Sequence, residues 1–155
     1  MNDCTVCKLL KDEEPSRILF IGQYWQVALS ADQEYLGRVY VTLKRHKEAL
    51  SDLSDPELVE LFDIIRKFEE AVKLAFKPTH FNWSCLMNNA VRDSESTHVH
   101  WHAIPRYKST HVISGTTFKD SRWPETSRSV SPNIVSKEII TLIRDKLKNQ
   151  FLLQS

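Results

Sequence analysis

Three histidines alternate with apolar residues in the stretch His-Val-His-Trp-His-Ala-Ile-Pro-Arg, which runs from residue 98 to residue 106. Residues two apart in an extended strand share a face, so His98, His100 and His102 would point to the same side. On a helix the same three residues would be spread around the cylinder. The spacing therefore predicts a strand with a row of imidazoles on one face. We expect Pro105 to end this strand or to lie at a sheet edge.

A row of imidazoles is costly to bury without partners, and three interpretations account for it. The histidines could hold a zinc ion and leave one position open for an activated water. A neutral imidazole could instead attack a phosphorus atom, while its neighbours hold the phosphoryl oxygens or protonate the leaving group. The third interpretation is a polar strand face turned to solvent, which suits one histidine better than three in register.

The bulk composition narrows the classes of function. A chain of 155 residues fits a single domain, 1–155, that is long enough to bury a core. The net charge of +1 provides no global field for nucleic acid or for an acidic membrane surface. No apolar run approaches the roughly 20 residues of a membrane span. Three cysteines without a visible signal peptide favour reduced thiols and a cytoplasmic protein.

Four further strands are predicted from short runs of β-branched, aromatic and aliphatic residues separated by turn residues. The first two form a hairpin, and the last pairs with the histidine strand as an antiparallel hairpin. These strands are expected at residues 18–21, 24–29, 39–43 and 81–87. Residues 88–97 are expected to form a polar loop, and residues 108–135 an irregular segment that Phe118 and Trp123 could attach to the body.

Two helices are predicted from their start signals and apolar periodicity. Ser54-Asp55-Pro56-Glu57 supplies a capping side chain, a proline in the first turn and an acidic residue. The helix that follows is expected to cover the sheet with one apolar stripe. That stripe comprises Leu58, Leu61, Phe62, Ile65, Phe68, Val72 and Ala75. Ser136 caps a C-terminal helix.

Cys4 and Cys7 are separated by two residues and could bind one zinc ion, which would need two further ligands. Two incidental cysteines are the alternative interpretation. A redox Cys-x-x-Cys usually opens a helix after a strand, and no strand precedes this pair. Taken alone, Lys44-Arg45-His46-Lys47 is typical of a basic strand end. Cys85 is expected to be a small core residue.

The stretch from His98 to Ile104 resembles the signature of the histidine-triad (HIT) superfamily of nucleotide hydrolases and transferases. Cys4-Thr5-Val6-Cys7 resembles the N-terminal Cys-x-x-Cys of its bacterial-type members, and Leu43-Lys44-Arg45-His46 resembles their basic strand end with histidine. The resemblance covers about residues 4–107 and leaves the irregular segment and the C-terminal helix of 108–155 without a match. It implies an α+β HIT-like fold with a five-stranded antiparallel sheet and one long helix. The family usually forms a two-fold dimer.

The resemblance also implies an activity. Family substrates carry a nucleoside monophosphate, commonly AMP, joined through its α-phosphate to a leaving group, as in dinucleoside polyphosphates and nucleoside phosphoramidates. His100 matches the nucleophile that forms a nucleotidyl-histidine intermediate. His102 matches the histidine beside the α-phosphate, and histidine at this position favours hydrolysis over transfer. No organic cofactor is implied.

Four further positions follow from the same resemblance. Asn88 matches a polar residue that contacts the phosphate or the leaving group. Ser96, with Thr97 next, matches a hydroxyl just before the triad. The ribose-binding position falls at Ser30, where family members often have Asp or Asn. Arg38 replaces the histidine of the family's Gly-His, and either reaches a polyphosphate tail or lies on the surface.

Some bacterial-type members hold zinc through residues that match Cys4, Cys7, His46 and His98. Two cysteines and two histidines form a closed structural set. Such a zinc would be a scaffold for the strand that bears His100. Two other functions are alternatives at this point: a zinc-dependent hydrolase with the metal bound by the triad, and a nucleotide-binding regulatory or scaffold protein.

Overall fold

The computed structural model describes residues 4–127 and 132–152, and its centre is a five-stranded antiparallel sheet. The spatial order of the strands is β1-β2-β3-β5-β4. Their bounds are Ile18–Ile21 for β1, Trp25–Leu29 for β2, Val39–Leu43 for β3, His80–Ser84 for β4 and His100–Arg106 for β5. The predicted sheet is therefore confirmed. The fourth strand is shorter than expected, because residues 85–87 lie outside it and Leu86 is exposed.

The histidine strand β5 lies between β3 and β4 and pairs antiparallel with both. The predicted hairpin of β4 and β5 is confirmed. Pairing with β3 ends at Ala103, whereas pairing with β4 continues through Pro105 to Arg106. Pro105 therefore has a neighbouring strand on one side only, which is an edge-like position where the missing N–H is tolerated.

Two helices, α2 (Asp55–Phe76) and α4 (Lys137–Leu152), pack against each other, and their buried side chains form one core with the sheet. α2 begins with a capping box, in which the Ser54 N–H donates to Glu57 Oε2 at 2.7 Å. α4 begins after Ser136, whose Oγ accepts from Ile139 N at 3.4 Å. Both predicted helix starts are confirmed.

The buried stripe of α2 differs from the predicted one. Leu61, Phe68 and Val72 are buried as expected, but Leu58 is 37% exposed and Phe62 is 62% exposed. Part of the stripe prediction was therefore wrong. Glu57, Ile64, Ala71 and Phe76 complete the buried stripe instead. The sequence of α2 contains two overlapping apolar stripes with helical spacing. Packing against the sheet and α4 determines which of the two is buried.

The segment predicted to be irregular contains a small hairpin of β6 (His111–Ile113) and β7 (Thr116–Phe118). The expectation of irregular structure was wrong there. Phe118 is buried in the core, as expected. The Arg106 guanidinium attaches the segment to the sheet, because it donates to Asp120 at 2.6 Å and lies 5.8 Å from the Trp123 ring. The rest of this prediction falls partly on residues 128–131, outside the described residues.

Two short helices flank the opposite face of the sheet: α1 (Thr5–Asp12) and α3 (Asn88–Arg92). The prediction of a polar loop at residues 88–97 was wrong for residues 88–92, which form α3. Along the part of the chain that the structure describes, no helix combines the length and the apolar character needed to cross a membrane.

Candidate active site and metal centre

His98 lies two residues before β5 and is 1% exposed. Its Nε2 is 2.7 Å from the carbonyl oxygen of Leu43. A carbonyl oxygen only accepts, so Nε2 carries the proton and Nδ1 carries the lone pair. Nδ1 lies 3.5 Å from Cys4 Sγ and 3.3 Å from Cys7 Sγ. Burial lowers the pKa of His98, and the charges of His46 and His100 add to this effect.

Cys4, Cys7, His46 and His98 form one cluster at the start of α1. Cys4 caps the helix and accepts from the Cys7 N–H at 3.4 Å. His46 Nδ1 lies 3.4 Å from Cys7 Sγ, and the four potential ligand atoms are all within 4.8 Å of one another. The edges of a tetrahedron of sulfur and nitrogen ligands around zinc measure roughly 3.3–3.8 Å. The three sulfur–nitrogen separations of 3.3–3.5 Å match these edges, so the spacing and the chemistry of the donor set suit one tetrahedral metal ion. Among the described residues, no other group of three or more histidine, cysteine or acidic side chains comes within reach of a single ion.

His100 is oriented differently from His98. Its Nδ1 lies 2.7 Å from the backbone carbonyl oxygen of His98 and must donate to it. In the neutral ring the proton is therefore on Nδ1 and the lone pair is on Nε2. His100 and His102 line one cleft with His98, so the predicted row of imidazoles on one face is confirmed.

His102 lies next to His100, with 5.1 Å between the ring centroids. Burial lowers the pKa of His102 to about 4, and the charges of His100 and Arg38 contribute. The Tyr40 ring packs edge-on against His102, at a centroid distance of 5.0 Å. His102 is therefore neutral near pH 7 in the protein without a bound anion.

The cleft has a volume of about 450 Å³, and its floor is the sheet face that carries the histidines. α1 forms one wall through Val6, Leu9 and Leu10, and residues 86–90 form another. Its polar lining, besides the triad, consists of Thr5, Gln26, Tyr40, Thr42, Asn88, Asn89 and Ser96 together with the charged residues Glu13, Arg17, Asp93 and Glu95.

The structure brings some of the predicted substrate-binding residues to this cleft and leaves others outside it. Asn88, at the start of α3, and Ser96 both line it. Ser30 does not: it is buried, and its Oγ accepts from the Asp32 N–H at 3.2 Å. Thr97 donates to the Glu48 carbonyl oxygen at 3.2 Å. Arg38 also lies outside the lining and pairs with Asp32 at 3.3 Å.

Sequence reasoning missed Gln26, Tyr40 and Thr42. A signal was present, because Gln26 is the only polar residue of β2, and Tyr40 and Thr42 alternate with aliphatic residues in β3. Gln26 pairs with Thr42 across β2 and β3, and Tyr40 lies two residues before Thr42. All three side chains are therefore on the face of the sheet opposite the core. The wall formed by α1 was also missed, since the Cys-x-x-Cys segment was interpreted without a helix.

Comparison with known proteins gives consistent matches. The HIT domain family model matches residues 11–109. An uncharacterized HIT-like protein of Methanocaldococcus jannaschii is 29% identical over 107 residues, which are 68% of this chain and 80% of that protein. A hypothetical histidine triad nucleotide-binding protein from Sulfolobus tokodaii has a solved structure with a TM-score of 0.68, 19% identity and coverage of 97% and 93% of the two chains. The solved structure of a Zn-bound histidine triad family protein from Mycobacterium smegmatis has a TM-score of 0.66 and 13% sequence identity. This match covers 98% of this chain and 95% of that chain.

Proposed function

Because the chain belongs to the HIT domain family, we propose that it is a nucleotide hydrolase that cleaves at the α-phosphate of AMP-linked substrates. We propose a nucleotidyl-histidine intermediate on His100. The hydrogen bond from His100 Nδ1 to the His98 carbonyl, at 2.7 Å, is the observation that carries the proposal. In the neutral imidazole it places the proton on Nδ1 and the lone pair on Nε2, which is the form that attacks phosphorus without help from a base. Dinucleoside polyphosphates and nucleoside phosphoramidates are the proposed substrates.

The reaction has two displacements. In the first, a bond forms between Nε2 of His100 and the α-phosphorus, and the bond from phosphorus to the leaving group breaks. The leaving group departs with the electron pair and takes up a proton. The imidazole now bears a positive charge, which the Nδ1 hydrogen bond stabilises. In the second displacement, a water oxygen bonds to phosphorus, releases the imidazole and loses a proton.

Three neighbouring side chains are assigned supporting roles. His102 would stabilise the charge of the α-phosphate, and the negative charge of a bound phosphate would oppose the lowering of its pKa. Asn88 and Ser96 line the same cleft and are proposed to contact the phosphate or the leaving group. Ser30 is still a predicted ribose contact, and its engaged, buried hydroxyl gives this assignment little support.

We propose that Cys4, Cys7, His46 and His98 hold one structural zinc ion. The Zn-bound relative from Mycobacterium smegmatis supports this choice of metal. Four protein ligands leave no open position, so the ion would anchor the start of β5 and take no part in catalysis. A catalytic zinc on the triad is not favoured, because His98 Nδ1 faces the cysteines and, within 4–127 and 132–152, His100 and His102 belong to no metal-binding group.

We also propose a homodimer formed through α2 and the edge strand β4. Leu58, Val59 and Phe62 leave an apolar patch exposed on α2, and an unpaired strand edge is a ready site for association. Phe62→Glu should convert the dimer to a monomer in sedimentation experiments. A wild-type protein that sediments as a monomer at all concentrations contradicts the proposal.

The test of the hydrolase uses two substrates, adenosine 5′-phosphoramidate and a diadenosine polyphosphate. His100→Ala and His100→Asn should abolish release of AMP while AMP still binds. His80→Asn is the matched control, because His80 is exposed at the start of β4 and does not line the cleft. Turnover near the wild-type rate in either His100 variant rejects the mechanism. Binding of AMP by the wild type without turnover of either substrate favours a binding protein instead.

A further inference from the structure

We propose that Gln26 and Thr42 recognise the nucleoside part of the substrate, with Gln26 contacting the hydrogen-bonding edge of adenine. The inference rests on the proposed function, since it takes the α-phosphate to lie at His100. It assigns a determinant of base specificity, which neither the histidine triad nor the metal cluster supplies.

Both side chains are buried at the cleft without partners. Gln26 is 8% exposed and Thr42 is 9% exposed, and both line the cleft. Within the described parts of the chain, neither side chain makes a hydrogen bond to a protein group, and their polar atoms are not among the fully buried ones, so they are open to the cleft. A largely buried amide in this position is stabilised when a ligand supplies its hydrogen-bond partners. A small number of such groups in a largely apolar cleft is typical of positions that contact a ligand.

The charged residues of the same cleft are already engaged. Arg17 pairs with Glu13 at 3.0 Å and donates to the Leu29 carbonyl oxygen at 3.0 Å. Their charges compensate each other, and one donor of Arg17 is used by the backbone. Gln26 and Thr42 are therefore better placed than this pair to bind an uncharged nucleoside.

The strand register places these residues in line with the nucleophile. Gln26 pairs with Thr42, and Thr42 pairs with His100, so the three occupy one row across β2, β3 and β5. Neighbouring strands lie about 4.8 Å apart, which puts Gln26 roughly 10 Å from His100 along the floor. In a nucleotide the sugar follows the phosphate and the base lies beyond the sugar. With phosphate at His100, the sugar falls near Thr42 and the base near Gln26, so Thr42 takes the place of the predicted ribose contact at Ser30, whose hydroxyl is buried and engaged.

The chemistry of the side chains matches these positions. A glutamine amide carries a donor beside an acceptor, which is complementary to the N6 amino group of adenine and an adjacent ring nitrogen. The threonine hydroxyl can donate to and accept from a ribose hydroxyl. Val6 and Leu9 in the α1 wall are apolar and suit the flat face of a base, and Ala28, next on the same face of β2, leaves room for it.

Binding measurements on the full chain test the assignment of Gln26. The ligands are AMP and purine riboside 5′-monophosphate, which lacks the N6 amino group, and the affinities are measured by calorimetry. Wild type should bind AMP about tenfold more tightly than the purine analogue, as expected for one hydrogen-bonded pair. Gln26→Leu should bind the two with equal affinity. Gln23→Leu is the matched control and should keep the wild-type ratio, because Gln23 is exposed and does not line the cleft.

An AMP preference that is unchanged in Gln26→Leu would overturn the assignment. Should that variant fail to fold, Gln26→Met has a similar length without donors or acceptors and must give the same result. The readout is binding, so it is independent of turnover by His100. If the protein shows no turnover but its preference for AMP depends on Gln26, hydrolysis is rejected and the recognition site is supported. If the protein turns over substrate but its preference for AMP does not depend on Gln26, the recognition site is rejected and hydrolysis is supported.

Discussion

The Nδ1 atom of His100 lies 2.7 Å from the backbone carbonyl oxygen of His98, so one triad histidine orients the next through the main chain. His98 is itself held by the Leu43 carbonyl oxygen, 2.7 Å from its Nε2. The two hydrogen bonds link the end of β3 to the buried His98 and then to the half-buried His100. The two histidines follow the same spacing, but the ring nitrogen that donates to a carbonyl is Nε2 in His98 and Nδ1 in His100.

The tautomer of His100 can be observed directly by nitrogen-15 NMR. We expect the Nδ1–H form of neutral His100, because the His98 carbonyl accepts only from a protonated nitrogen. The unfolded chain, in which the ring has no fixed hydrogen-bond partner, provides the reference for an unconstrained imidazole. A predominant Nε2–H form of His100 contradicts the proposed nucleophile.

Removing one cysteine should remove the metal. We expect about one zinc per purified chain by elemental analysis, and loss of zinc in Cys7→Ser, because a closed site needs all four ligands. The free energy of unfolding should fall by several kcal/mol in that variant. Cys85→Ser is the matched control for zinc content and should keep the ion, since Cys85 lies outside the cluster; it packs half-buried against the core, so its stability is not part of the comparison. Unchanged zinc content in Cys7→Ser would refute the proposed ligand set.

His102→Gln tests the role of the second histidine in the cleft. Glutamine keeps a hydrogen-bonding group but cannot take up a proton, so it cannot supply charge to the α-phosphate. We expect kcat/KM for adenosine 5′-phosphoramidate to fall about 100-fold, the effect typical of losing one group that stabilises transition-state charge. His111→Gln, outside the cleft on β6, should leave the rate unchanged. A full rate in His102→Gln argues against any role in charge stabilisation.

Glu57 should make stability depend on pH in the acidic range. Its hydrogen-bonded ion pair with Arg45, 2.7 Å from Nη2 to Oε2, lowers the pKa of this 1%-exposed carboxyl to about 2. A glutamate in the unfolded chain titrates near 4.3, so the stabilisation is complete above about pH 4 and is lost as the pH falls through about 2.

Glu57→Gln should therefore lower the free energy of unfolding by roughly 2–4 kcal/mol at pH 7, measured by urea denaturation. The difference from wild type should shrink progressively below about pH 4. Glu70→Gln, an exposed position on the same helix, should change stability by less than about 0.5 kcal/mol. A constant difference between pH 7 and pH 2 is incompatible with the ion pair as its source.

Local patterns were sufficient for most elements of the fold. The alternation in β5, the β-branched run in β3 and the capping sequence at Ser54 each describe interactions within a few residues. Such interactions depend on covalent geometry and on short hydrogen bonds, which the neighbouring residues specify. The same argument explains why the long helix was located correctly while its buried face was not. Leu58 and Phe62 have the right period but lie on a side that neither the sheet nor α4 covers.

The candidate site shows the same division. By itself the sequence determined that three imidazoles share one strand face, because the period of a strand is two residues. Only the tertiary structure decided how they differ. Cys4 and His98 are 94 positions apart and Cys7 and His46 are 39 apart, yet packing of α1 against the sheet brings them together. That packing turns His98 toward sulfur, leaves His100 facing the cleft and places Gln26 in its row, and these long-range contacts depend on how whole elements bury their surfaces.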